Sequence, residues 1–141
     1  MPVCRSMDQL KQALQERLVQ AVDNMAQMVL DDVDDATMHY YQSYSPWLYD
    51  RTGTLSYAPR KTAATVTGDG AQAQVYMDTS LGYHTGSWSM ADVISAADNL
   101  THGGKKVGEG VSIWAEPIKT AQGNSRSMWL QAMRDAGLPV N

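Results

Sequence analysis

From Leu10 to Tyr40 an apolar residue falls at every third or fourth position: Leu10, Leu14, Leu18, Val22, Met25, Val29, Val33, Ala36 and Tyr40. That spacing holds one stripe on one face of an α-helix, where 3.6 residues complete a turn. Ser6-Met7-Asp8-Gln9 supplies the start as a capping box, Ser6 accepting from a free amide and Gln9 reaching back. Ser45 precedes Pro46, which disfavours helical geometry and ends the element. The reading is a helix over 6–45, about 60 Å long at ~1.5 Å per residue. A chain of 141 residues is expected to form one domain, 1–141, whose core is narrower than such a helix is long. The helix either breaks near Asp31–Asp35 or projects to meet another chain.

The remainder reads as a β region followed by shorter helices. "TLSYAP" (54–59) is expected to be extended, with Pro59 at an edge or bulge. "TAATVT" (62–67) and "AQAQVYMD" (71–78) flank "GDG" and read as a hairpin, giving a β region over 54–78. In the second run Ala71, Ala73, Val75 and Met77 alternate with Gln72, Gln74, Tyr76 and Asp78, the pattern of a half-buried strand. Ser89-Met90-Ala91-Asp92 opens a helix over 89–100, "THGGKKVGEG" (101–110) is a glycine-rich loop, and "VSIWAEP" reads as a short strand. A final helix over 125–136 ends on Gly137, Leu138 and Pro139: a left-handed glycine, a hydrophobic clasp, then a helix breaker. The class is α+β: a long N-terminal helix, a small antiparallel sheet with a hairpin, and a C-terminal helix.

Charge narrows the partners. The formal net charge is −4, the wrong sign for nonspecific phosphate binding through Lys and Arg. From Ser6 to Ser45 there are seven acids against Lys11 and Arg17. The single cysteine, Cys4, cannot form an intrachain disulfide. With no secretory pattern and no run long enough to span a bilayer, a soluble protein made in a cytoplasm is expected.

Chemical motifs fail one by one. A P-loop ending at Gly104-Lys105 needs glycine at 99 and Ser or Thr at 106, where Asn99 and Lys106 stand. A dinucleotide fingerprint from Gly108 meets Ile113 in place of its last glycine. "DDVDD" (31–35) resembles a cation loop, yet the EF-hand glycine position is Ala36; on a helix the acids form a solvated or lumen-facing surface. His39, His84 and His102 lack metal-ligand spacing, and Gly110-Val111-Ser112-Ile113 is followed by Trp114 rather than the glycine of a hydrolase elbow. No enzyme, metal or cofactor is expected. The alternatives kept are a small hydrolase or nuclease using His84 or His102, and a monomeric intracellular module whose aromatic patch grips a peptide.

The aromatic content is concentrated. "YYQSYSPWLYDRTGTL" (40–55) carries five of the eleven aromatics, Tyr40, Tyr41, Tyr44, Trp47 and Tyr49, before Asp50-Arg51-Thr52-Gly53. Asp at the first position and Gly at the fourth mark a type I turn. The stretch is read first as a corner bracing the helix against the sheet, next as an oligomer interface, since Tyr, Trp and Arg favour desolvated contacts, and last as a base-stacking surface, which the acidic flanking charge disfavours.

This segment resembles the "Tyr-x-Ser-Tyr-x-Pro-x-x-Tyr-x-Arg-Thr-x-x-Leu" pattern of small neck or tail-completion proteins of long-tailed bacteriophages and their prophages. "HGG…GVSIWAEPIK" and "AMRDAGLPV" look like the same family's later segments, in the same order; Gly53 stands where some relatives carry a bulkier residue. The resemblance implies a non-enzymatic virion protein, a homo-oligomeric ring of six or twelve copies at the head–tail junction. Its partners would be portal or head-connector and tail-tube proteins, with the genome passing through its lumen, no membrane involved, and assembly in the host cytoplasm. Interface residues are expected at Trp47, Tyr49, Arg51, His102, Lys105, Lys106 and Trp114. Tyr40, Tyr44, Thr52 and Gly53 would hold the corner, and Asp31, Asp32, Asp34 and Asp35 would face the lumen.

Overall fold

A computed structural model describes residues 3–42, 53–82, 89–102, 105–106 and 112–140, with the backbone alone described for Thr101, His102, Lys105 and Lys106. The class is α+β. Helix α1 (Met7–Gln42) runs 36 residues without interruption, about 54 Å at ~1.5 Å per residue. The Gln9 amide donates to Ser6 Oγ at 3.2 Å, as a cap requires, while Gln9 Oε1 accepts from Arg5 N at 2.8 Å, one residue before the cap. The helix does not break at the aspartates. The stop expected at Ser45-Pro46 lies outside the described residues.

Thr54–Tyr57 form a 3-10 turn, correcting the extended reading of 54–59. Gly53 starts it at φ +72°, with its carbonyl accepting from Ser56 N and Ser56 Oγ. Strand β1 (Pro59–Lys61) follows, then β2 (Thr65–Thr67), β3 (Gly70–Gln72) and β4 (Val75–Met77). β2 and β3 make the expected hairpin, antiparallel with Val66 opposite Ala71. The run 71–78 is not one strand. It breaks at Ala73-Gln74, and β4 leaves the hairpin to pair with β1. Helix α2 (Met90–Asp98) carries a complete capping box between Ser89 and Asp92. It ends on Leu100, which takes a left-handed φ of +54° without being glycine.

Two further corrections concern the C-terminal third. Inside the segment read as a loop, β5 (Thr101–His102) and β6 (Lys105–Lys106) form a two-residue antiparallel ladder. The segment read as a strand opens helix α3 (Ala115–Gly123). Its free amides are capped from outside: Asp98 Oδ1 accepts from Trp114 N at 2.8 Å and Ala115 N at 2.9 Å, and Ser112 Oγ from Glu116 N at 2.8 Å. Pro117 sits in the first turn, where its missing N–H is harmless. Helix α4 (Ser125–Asp135) ends as expected: Leu138 N bonds Met133 O and Gly137 N bonds Arg134 O, with Gly137 at φ +79°, the Schellman arrangement.

The chain packs as two compact units. The first comprises Met1–Met28, Lys61–Gln74 and Asn124–Asn141. Its closest packing uses small residues, Ala21, Ala26, Ala132 and Ala136, and polar links hold the pieces together. Asp23 Oδ1 accepts from Lys61 Nζ at 2.8 Å and Ala64 N at 3.2 Å, and Arg17 Nη1 donates to Ala136 O at 2.9 Å. The second comprises Val29–Arg60 and Val75–Gly123. Tyr40, Leu55, Ala58, Met90, Ala97 and Ile113 form its buried core, with Met77, Val93, Ile94 and Trp114 packed against it.

Candidate functional site

The second unit places the acidic run and the helix end of the aromatic stretch on one segment of α1. Val33, Ala36 and Tyr40 turn inward, at 0, 9 and 4 % exposure. A helix that buries position 33 sends its neighbours in sequence away from the core. Asp31, Asp32 and Asp35 are therefore exposed, and Asp34 is half-buried. Burial first, then repulsion from Asp35 and Asp31, pushes the Asp32 carboxyl above its ordinary value. Burial first, then Asp31 and Asp35, does the same for Asp34. Among the described residues none of the ion pairs involves Asp32, Asp34 or Asp35. The run forms an acidic belt along this segment of α1.

Beside the belt, Asp32, Asp35, Ala36, His39, Pro117 and Thr120 line an open groove of about 310 Å³. His39 lies one turn beyond Asp35 on the same helix face, at i+4. Among the described residues no three His, Cys, Asp or Glu side chains are placed to hold a metal ion. The groove offers carboxylates and an imidazole to a cationic group. Pro117 and Thr120 were missed by the sequence reading because α3 itself was missed.

At the aromatic end Tyr40 is in the core with Leu55, so residues on either side of the segment 43–52 meet in one cluster. The Tyr40 and Tyr41 rings stand 6.3 Å apart and tilted by 59°. Gly53 has nothing within 4 Å of where a Cβ would stand; its positive φ, rather than space, favours glycine. Trp114, named for an interface, is half-buried against the core and bonded through its N–H to Asp98. Tyr44, Trp47, Tyr49, Arg51 and Thr52 lie outside the described residues, as does His84. The β5–β6 register sets His102 opposite Lys105, with Lys106 opposite Thr101. Tyr57, 68 % exposed at the end of the 3-10 turn, adds a surface aromatic that the sequence reading passed over.

In the first unit, Met7, Leu10, Lys11, Leu14, Leu18 and Asp69 contribute to a second groove of about 430 Å³. The hairpin turn forms its wall, tied to α1 by Lys11 Nζ–Asp69 Oδ1 at 2.9 Å and Gln15 Nε2 to Gly68 O at 3.1 Å. Leu10 and Leu14, at the start of the sequence stripe, are 40 and 50 % exposed.

The YomN family model matches residues 6–136, nearly the whole chain. The chain belongs to the YomN family. That family is phage- and prophage-associated, so the protein is phage-related. The match takes in both grooves, the acidic belt and the aromatic turn. Neither the curated proteins nor the solved structures yield a match. No described helix is long and apolar enough to cross a membrane.

Proposed function

We propose that this protein is a structural component of the phage neck, a tail-completion or head–tail joining protein that acts by docking and sealing without turnover. The observation that carries this reading is membership of a phage-associated family across residues 6–136. Copies assemble as a ring of six or twelve between the head connector and the tail tube. The aromatic turn around Arg51 seats neighbouring copies against one another.

The acidic belt supports the same reading from physics. DNA passing a channel must be held off the wall, and exposed carboxylates repel phosphates over a Debye length of about 8–10 Å. Asp31, Asp32 and Asp35 are exposed, and their carboxylates would supply that repulsion. No specific DNA contact is required. Deleting the gene from its phage or prophage is the test: filled heads and finished tails should accumulate unjoined. Normal numbers of infectious particles would end the proposal.

A further inference from the structure

The β2–β3 hairpin turns on Thr67-Gly68-Asp69-Gly70. Asp69-Gly70 is the one Asp-Gly pair in the sequence, which contains no Asn-Gly. Thr67 stands opposite Gly70 and closes a two-residue loop. Gly68 alone of the two central residues takes a positive φ, +56°, as a type II′ turn requires. The Asp69 side chain is 87 % exposed, and β2 is exposed at all three of its positions. Little apolar burial therefore opposes excursions of the tip.

Such a pair reacts with itself. Attack of the Gly70 amide nitrogen on Asp69 Cγ closes a five-membered succinimide ring. The N–Cγ bond forms, the Cγ–OH bond breaks, and the amide proton leaves with the hydroxyl as one water. Water then opens the ring, and nothing is oxidised or reduced. Addition at Cγ restores aspartate. Addition at the Asp69 carbonyl carbon breaks its bond to Gly70 and routes the chain through Cβ, giving isoaspartate. Glycine permits this because no side chain shields its nitrogen or restricts the approach. We infer that Asp69-Gly70 is a site of isoaspartate formation, with Lys11 as its guard.

The guard acts through the leaving group. Hydroxyl departs from the neutral carboxyl, whereas a carboxylate would have to expel oxide. Lys11 Nζ stands 2.9 Å from Asp69 Oδ1, and that hydrogen bond, with the charge behind it, holds the carboxyl below its ordinary value. The reactive neutral form is thereby kept scarce. Asp8 and Lys11 are the charged residues of α1 that line this groove with Asp69, and 65–72 carries no other charge. Asp8 pulls the other way, and the net direction is that of Lys11. Conversion would undo the tie. Isoaspartate adds one backbone methylene to a loop whose length sets the Val66–Ala71 register, and its carboxylate sits directly on the backbone, without the arm that meets Lys11. The wall of the groove is then released. This chemistry is independent of the neck assignment.

The experiment incubates the purified full chain for weeks in warm, mildly acidic buffer made with heavy-oxygen water. Mass spectrometry of the peptide containing Asp69 should find heavy oxygen at that residue, and an isoaspartyl methyltransferase should methylate the freed α-carboxylate. In Gly70→Ala the new Cβ would meet Thr67 O and Oγ1 at ordinary contacts of 3.5 and 3.7 Å. That variant should fold normally and convert on the order of tenfold more slowly. Lys11→Met should convert about two- to fivefold faster, the scale of an exposed ion pair, and high salt should bring the unaltered chain toward the same rate. A native chain that leaves Asp69 unconverted over those weeks, or a Gly70→Ala chain that converts as fast, would overturn the site. A Lys11→Met chain no faster than the original would overturn the guard.

Discussion

Replacing Gly137 with alanine probes how α4 is closed and how it is tied to α1. Gly137 sits at φ +79°, and a Cβ there would stand 2.8 Å from Arg17 Nη1. The left-handed conformation costs a residue with a Cβ about 1–2 kcal/mol. The approach to Arg17 is to the far end of a flexible side chain, so the guanidinium moves aside rather than blocking the fold. Moving it forfeits the 2.9 Å bond from Arg17 Nη1 to Ala136 O, which at a partly exposed site is worth about 1 kcal/mol. Gly137→Ala should therefore cost about 2–3 kcal/mol, lowering Tm by roughly 6–9 °C at about 3 °C per kcal/mol for a chain of this size. Arg17→Met should cost about 1 kcal/mol alone. In the double variant the two should be less than additive by about that amount, because the bond can be lost only once. Thermal and urea unfolding of the four proteins measures the cycle. Strict additivity would refute the claim that the glycine makes room for Arg17, and a Gly137→Ala chain as stable as the original would refute the strain as well.

Three other perturbations separate core, belt and interface. Ile113→Ala, at a fully buried position, should cost about 2–4 kcal/mol in urea unfolding. Asp34→Asn should raise stability at neutral pH by a few tenths of a kcal/mol, the scale of one relieved i,i+3 repulsion. The sign follows from the raised Asp34 carboxyl: the folded state binds its proton more tightly, so stability grows as pH falls through the folded value and stops changing below the unfolded one. Asp23 behaves oppositely, because its hydrogen bond with Lys61 lowers its carboxyl and that contribution is lost on acidification. Asp34→Asn should thus remove part of the gain on acidification, and an unchanged pH profile would contradict the assignment. Arg51→Ala should reduce particle yield while leaving the unfolding curve of the isolated chain in place; assembly at normal efficiency would clear Arg51 of an interface role.

Much of the fold was legible because its signals are local. The stripe from Leu18 to Tyr40, the box at Ser89–Asp92 and the glycine at 137 each act within a few residues of themselves. What escaped depends on distant groups. Helix α3 is started by Asp98, sixteen residues before Trp114, and the strand break at Gln74 is held by Thr62, whose Oγ1 accepts the Gln74 amide at 2.8 Å. Periodicity named the face of α1 but not how far its neighbours extend, so it could not show that Leu10 and Leu14 stay exposed. The acidic belt could be read directly from "DDVDD", whereas its groove needed α3 in place. The aromatic turn was the most conspicuous feature of the sequence. Its described ends, Tyr40 and Leu55, meet in one core.

The central claim is that this chain is a part of the particle. Electron cryo-microscopy of purified virions, with mass spectrometry of the same sample, tests it most directly. The account predicts six or twelve copies in a ring at the head–tail junction, with Asp31, Asp32, Asp34 and Asp35 toward the channel and Trp47, Tyr49 and Arg51 between neighbours. Virions that lack the chain, or a ring whose acidic belt lies buried against a basic neighbour, would contradict it.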